Sequence, residues 1–96
     1  MTPLTLTTTT DQRGRPVLKA AGEIDLSNTA EFESAFADVD GPLVVDLTEV
    51  LYIDSAGMSV LFTHADRVEV IATPLLTPLL EMSGLTSMTT VRAAED

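Results

Sequence analysis

The sequence predicts an α/β fold, a mixed sheet of four to five strands packed by about three α-helices. Three observations lead there. Leu43-Val44-Val45-Asp46-Leu47 is a short apolar, β-branched run between Gly41-Pro42 and polar Thr48-Glu49, which suits a strand buried on both faces. Met58, Leu61, Phe62 and Ala65 recur at helical spacing, as do Phe32, Ala35, Phe36 and Val39, so amphipathic helices flank that strand. Further β-branched runs open the chain and follow the second helix.

Taken in order, Leu4 to Thr10 alternates and then runs into threonines, and Pro16 to Ala21 resumes as a second strand. The intervening Asp11-Gln12-Arg13-Gly14-Arg15 makes the pair a hairpin, with Gly14 free to take positive φ. Gly22-Glu23-Ile24-Asp25 ends the second strand. Asn28 followed by Glu31 has capping-box spacing for the first helix, whose outer side carries Glu31, Glu33 and Asp38. After the buried strand, Val50 to Ile53 reads as a link, and the second helix runs from about Ser55 to Ala65. His64 falls near its end, as a surface residue compatible with the helix dipole.

Val68 to Ala72 is a fourth strand by composition. Thr73-Pro74 reads as a cap and first helical proline, but Pro78 lacks the N–H that such a helix needs, so the helix is kinked or restarts at Thr77-Pro78. Leu75, Leu79 and Met82 share one of its faces, and Met58, Met82 and Met88 are expected as core filler. Gly84 is placed to end this helix in a left-handed conformation, before a weak fifth strand over Met88 to Val91 and an acidic tail, Glu95-Asp96.

Asp54 and Ser55 stand where the second helix begins. Free backbone N–H groups point outward there with the positive end of the helix dipole, so a serine hydroxyl at that place is exposed beside an anion-friendly spot. Ser55 is therefore a candidate phosphate acceptor, with the plain alternative of an N-cap. Glu23, Asp25 and Asp54 are expected to gather near it, where a carboxylate can orient a hydroxyl or take its proton during phosphoryl transfer.

The 96 residues are expected to form a single domain over residues 1–96. Fifteen acidic against five basic side chains give a net charge of −10, which argues against direct nucleic-acid binding and fits either solubility or an acidic face for a basic partner. Without cysteine there is neither disulfide framework nor thiolate metal site, and no apolar run approaches a membrane span, so a cytoplasmic protein with no membrane partner is expected. No G-x-x-x-x-G-K-[ST] loop and no nucleophile–base set marks an enzyme.

The segment Val44 to Leu61, with Gly22-Glu23-Ile24-Asp25 before it and Glu81-Met82-Ser83-Gly84-Leu85 after it, resembles the STAS-domain anti-sigma factor antagonists of bacteria. The resemblance implies the STAS fold and a protein that binds an anti-sigma factor and frees its sigma factor. It implies that the partner is a serine kinase of the histidine-kinase ATPase type, which brings ATP and Mg²⁺ itself, so this domain needs no cofactor or metal and is a kinase substrate and not an enzyme. By motif position the phosphorylated residue is Ser55, and Asp25, Asp54, Gly57, Met58 and Glu23 fall on partner-binding positions. A phosphatase would reverse the modification, and the domain would be a monomer or weak dimer. A phosphate on Ser55 is expected to oppose docking against an acidic partner surface.

The sequence departs from the family's pattern in four places: the second helix is shortened, Ala93 to Asp96 cannot supply the further helix common at the end, Ala56 replaces a second hydroxyl, and Ser59 stands where glycine is frequent. Two other readings stay open. One is an unphosphorylated STAS module of a sensor assembly or lipid-transport complex, and the other is an anion or nucleotide sensor.

Overall fold

A computed structural model describes residues 2–93. Five strands form one sheet in the spatial order β1-β2-β3-β4-β5, built from β1 (Thr5–Thr10), β2 (Pro16–Ile24), β3 (Leu43–Ile53), β4 (Val68–Ala72) and β5 (Thr90–Ala93). Only β1 runs antiparallel to its neighbour; β2 to β5 are parallel. Three helices make the crossovers, α1 (Thr29–Ala37), α2 (Ser55–Thr63) and α3 (Thr77–Met82). Parallel neighbours require such connections, which is why strand and helix alternate after the hairpin.

Along β2, buried Leu18, Ala20 and Ile24 alternate with half-buried Val17, Lys19, Ala21 and Glu23, so one face of the sheet meets the core and the other is partly covered. Phe32 and Phe36 of α1, Leu61 of α2 and Leu80 of α3 are fully buried against Leu18, Val45, Leu47 and Val70. Each such side chain contributes roughly 1.5 to 3 kcal/mol by leaving water. Val44 is buried but stands outside that cluster, with Val17 and Glu69 as register neighbours, so the central strand is covered on both faces there.

Several local expectations change. Val50 to Ile53 is not a link: β3 continues for eleven residues to Ile53, because β2 extends alongside to Ile24 and pairs with it. The capping box does not form. Asn28 is the N-cap of α1 but gives it no side-chain bond; its Oδ1 accepts the Asp25 N–H and its Nδ2 donates to the Glu23 carbonyl. A tight turn outcompetes the helix end for that amide.

The third helix begins at Thr77 with Pro78 in its first turn, where a missing N–H costs nothing. Its buried residue is Leu80, and Leu76 just before it is buried as well, whereas Leu75, Leu79 and Met82 are exposed, Met82 by 87%. Met88 is exposed as well, so of the three expected core methionines only Met58 is buried. Gly84 ends the segment at φ +89°, in the left-handed conformation. The fifth strand starts at Thr90, two residues later than the sequence predicts, after a short turn over Leu85–Ser87.

The second helix is nine residues long and gives way to a 3-10 turn, Ala65–Arg67, that keeps Ala65 in the core. His64, at this junction, is not a surface residue: its side chain is 15% exposed, stacks on Phe36 and bonds Glu33. The acidic tail Glu95-Asp96 and most of the Ala93 to Asp96 segment lie outside the described residues.

Candidate functional site

The site is set by how β2 and β3 end. Their parallel register brings Glu23 beside Tyr52 and Ile24 beside Ile53, and the Asp54 N–H then donates to the Ile24 carbonyl at 3.1 Å. The two exits are thus tied together. Gly22, at φ +98°, allows the irregularity in β2 just before this point, and a side chain there would meet the Pro3 carbonyl. Beyond Ile24 the chain turns through Asp25 to Asn28, held by Asn28 and by the Ser27 N–H donating to Asp25 Oδ1 at 2.9 Å.

Asp54 is the N-cap of α2. Its Oδ1 accepts the Gly57 N–H at 3.0 Å and its Oδ2 accepts the Leu26 N–H at 3.2 Å, so one carboxylate closes the helix start and anchors the neighbouring turn. Ser55 is therefore the first residue of the helix and not its cap. It is exposed, and no hydrogen bond of its hydroxyl is found among the described residues. Its carbonyl accepts the Ser59 hydroxyl at 3.0 Å.

Glu23, Asp25 and Asp54 do come to one edge, but none bonds the Ser55 hydroxyl. Asp54 is committed to two backbone N–H groups, Asp25 to Ser27, and Glu23 Oε2 to the Thr2 N–H at 3.2 Å. Among the described residues no carboxylate thus bonds the Ser55 hydroxyl. Gly57 is buried, with a would-be Cβ only 2.7 Å from both Ile24 and Ile53, and Met58 is 6% exposed. These two residues support the helix from beneath.

Beside Ser55 lies a groove of about 610 Å³ lined by Tyr52, Ile53, Met58, Phe62 and Leu79 with Asp54, Ser55, Ser59 and Ser83. Sequence reasoning missed its outer wall. The sequence reads Tyr52 as part of a link, and it groups Leu79 with Leu75 and Met82 on one face without orienting that face. The run Leu75-Leu76-Thr77-Pro78-Leu79-Leu80 contains two equivalent pairs four apart, and hydrophobic spacing alone does not choose which pair faces inward.

Among the described residues no group of three His, Asp or Glu side chains could hold a metal ion. No helix of the described residues is long and apolar enough to cross a membrane.

Comparison with known proteins gives one family. The description Mlab, STAS domain, matches residues 7–90. The chain is 37% identical over 65 residues to the anti-sigma-F factor antagonist RsfB of Mycobacterium tuberculosis, a stretch covering 64% of this chain and 53% of the relative. It thus spans about half the length of the curated relatives it matches.

Among solved structures, an anti-sigma factor antagonist from Mycobacterium paratuberculosis superposes with a TM-score of 0.82 at 25% identity, over 94% of this chain and 86% of that one. The unphosphorylated form of the anti-sigma factor antagonist SpoIIAA superposes at 0.62 with 12% identity, over 96% and 90%, and speaks for the fold alone. With the ordered β-hairpin, the parallel crossovers and the exposed serine at the start of α2, the match over residues 7–90 makes this chain a member of the STAS domain family.

Proposed function

We propose that this domain is an anti-sigma factor antagonist that binds an anti-sigma factor serine kinase, frees the sigma factor, and is turned off by phosphorylation of Ser55. The observation that carries the reading is the exposed, internally unbonded hydroxyl at the first residue of α2, in a chain 37% identical over 65 residues to a relative named as such an antagonist.

In the proposed step Ser55 Oγ attacks the γ-phosphorus of ATP held by the kinase. The bond from that phosphorus to the bridging oxygen breaks, ADP leaves, and the hydroxyl proton passes to a base on the kinase. The base belongs to the partner because Asp54, the nearest carboxylate in sequence, already accepts two backbone N–H bonds. ATP and Mg²⁺ arrive with the kinase, so the domain contributes a positioned acceptor and no catalytic group. The new phosphate carries about −1.5 to −2 charge at the N-terminal end of α2, where the helix dipole favours it.

Glu23, Asp25 and Asp54 form the polar rim of the contact in this reading, while Gly57 and Met58 hold the helix at its height. A change of about 3 kcal/mol in docking alters affinity roughly a hundredfold, enough for partner switching. A phosphatase restores the binding form, and the exchange takes place in the cytoplasm.

The test is incubation with histidine-kinase-type anti-sigma factors and ATP, followed by intact mass and peptide mapping. One phosphate, lost in Ser55→Ala, is expected. A kinase that binds well yet transfers nothing to the protein would overturn the switch and leave an unmodified interaction module.

A further inference from the structure

The charge of this chain is distributed unevenly along the strands. All five basic side chains belong to the strand-start half: Arg13 and Arg15 precede β2, Arg67 precedes β4, and Lys19 and Arg92 lie on rungs level with Asp46 and Ile71. Three of them are paired with carboxylates of their own half or the middle of the sheet. Arg15 pairs with Asp11 and Glu69, Arg92 with Glu69, and Lys19 with Glu49. From Asp46 to Ile53 the central strand climbs roughly 23 Å at ~3.3 Å per residue. Among the described side chains no Lys or Arg follows at the top, where Glu23, Asp25, Glu31 and Asp54 lie around the exits of β2 and β3 and the start of α1.

The same end carries uncovered apolar surface. Tyr52 is 51% exposed, Leu79 42% and Met82 87%, and Leu26, whose N–H is held by Asp54, is 79% exposed. Of these, Tyr52 and Leu79 line the groove between α2 and α3 together with Met58 and Phe62, and Met82 adjoins its lining residue Ser83 in the chain. The groove itself is apolar with Asp54 as its lining carboxylate, and Glu23 and Asp25 lie beyond it at the exit of β2; this end of the molecule repels a second copy of this chain at −10 net charge and disfavours an anion. It complements a helix with one apolar stripe and basic flanks.

We propose that the α2–α3 groove receives a cationic amphipathic helix of the partner, its apolar stripe on Tyr52, Phe62, Leu79 and Met82 and its Lys or Arg side chains over Asp25 and Glu23. The inference deepens the reading above and rests on it for the identity of the partner, but its chemistry is tested without a kinase. It also changes how the phosphate acts. Against a cationic helix, added negative charge at Ser55 does not repel; it blocks the groove mouth with a group that resists desolvation.

The probe is a set of three synthetic 18-residue peptides: a Lys/Leu amphipathic helix, its Glu/Leu counterpart, and a Lys/Leu sequence of the same composition scrambled to remove the stripe. Binding is read by calorimetry and by NMR of the methionine methyls. The amphipathic Lys/Leu peptide is expected to bind with shifts at Met58 and Met82, at least tenfold more tightly than the scramble, with the Glu/Leu peptide silent. Leu79→Ser with Met82→Ser, both at exposed positions, is expected to weaken it about tenfold, and Asp25→Asn with Glu23→Gln to weaken it and flatten its salt dependence.

Equal binding of the scramble, or shifts spread away from the groove, reduces the effect to charge alone and overturns the proposal. So does an unchanged affinity in the Leu79/Met82 variant with its fold intact by circular dichroism. Phosphorylation of Ser55 in a parent protein that does not bind the amphipathic Lys/Leu peptide overturns this inference and leaves the switch standing, whereas peptide binding without phosphorylation overturns the switch alone.

Discussion

Asp54 Oδ1 accepts the backbone N–H of Gly57 at 3.0 Å, which fixes where α2 begins and leaves Ser55 as its first, outward-facing residue. The other carboxylate oxygen binds the Leu26 N–H, so the helix start and the turn after β2 share one anchor. Asp54→Ala removes both bonds and is expected to cost about 1 to 2 kcal/mol in urea denaturation. Asp54→Asn keeps an acceptor and is expected to recover most of that loss. If the base is the kinase's, as proposed, Asp54→Asn also retains phosphorylation within a few fold, and a loss of a hundredfold or more in a folded protein would assign the proton transfer to Asp54 instead.

Gly57 has no room for a side chain. A methyl there would stand 2.7 Å from Ile24 Cγ2 and from Ile53 Cγ1, the residues that close β2 and β3. Alanine gains up to about 1 kcal/mol of helix propensity, which opposes an overpacking cost of about 1 to 3 kcal/mol. Net destabilisation of Gly57→Ala is therefore expected by thermal unfolding, together with displacement of α2. Unchanged stability would mean that the two isoleucines yield freely and that this glycine does not set the helix height.

The sheet was readable because its signals are local: a β-branched central run, turn residues after β1, and helical spacing of Phe32 with Phe36. The groove was not, because its walls depend on choices that spacing leaves degenerate. Leu75 with Leu79 and Leu76 with Leu80 are equivalent in sequence, and burial of the second pair follows from how α3 meets the sheet. Likewise Asn28 and Glu31 satisfy the capping-box pattern, yet the Asn28 amide bridges Asp25 and Glu23, a contact that exists only once β2 has ended beside it. Ser55 was found because a motif and a helix start coincide. Asp54 and Ser55 are both good N-caps in sequence, and the Gly57 bond decides for Asp54.

The hairpin carries the acid sensitivity that can be assigned to one residue. Asp11 accepts the Arg15 N–H and the Arg13 N–H, each at 2.9 Å, and its Oδ2 meets the Arg15 guanidinium at 2.7 Å. The Arg15 backbone N–H is the main reason its carboxyl is held below the usual range; partial desolvation works against this, and the guanidinium and the Arg13 N–H add to it. A lowered folded pKa means that the contribution is complete above the ordinary aspartate value of about 3.9 and disappears as pH falls through the lower folded value. Thermal unfolding of Asp11→Asn is thus expected to fall below that of the parent at pH 5 to 7, with the difference closing in stronger acid. A gap that widens on acidification would contradict this assignment.

His64 stacks on Phe36 with ring centroids 4.8 Å apart and planes 14° from parallel, while its Nε2 meets Glu33 Oε1 at 2.8 Å. Both contacts join α2 to α1, and their weights differ. The Glu33 side chain is 44% exposed, so its link to His64 is worth well under 1 kcal/mol after solvent screening. The stack lies against a fully buried ring and contributes about 0.5 to 1.5 kcal/mol beyond area burial. His64→Ala is accordingly expected to lose about 1 to 2 kcal/mol, His64→Phe to retain most of the stability, and Glu33→Gln to change it little. Urea denaturation of the three variants ranks the contacts directly: if Glu33→Gln matched His64→Ala, the hydrogen bond to Glu33 and not the aromatic stack would be what joins the two helices.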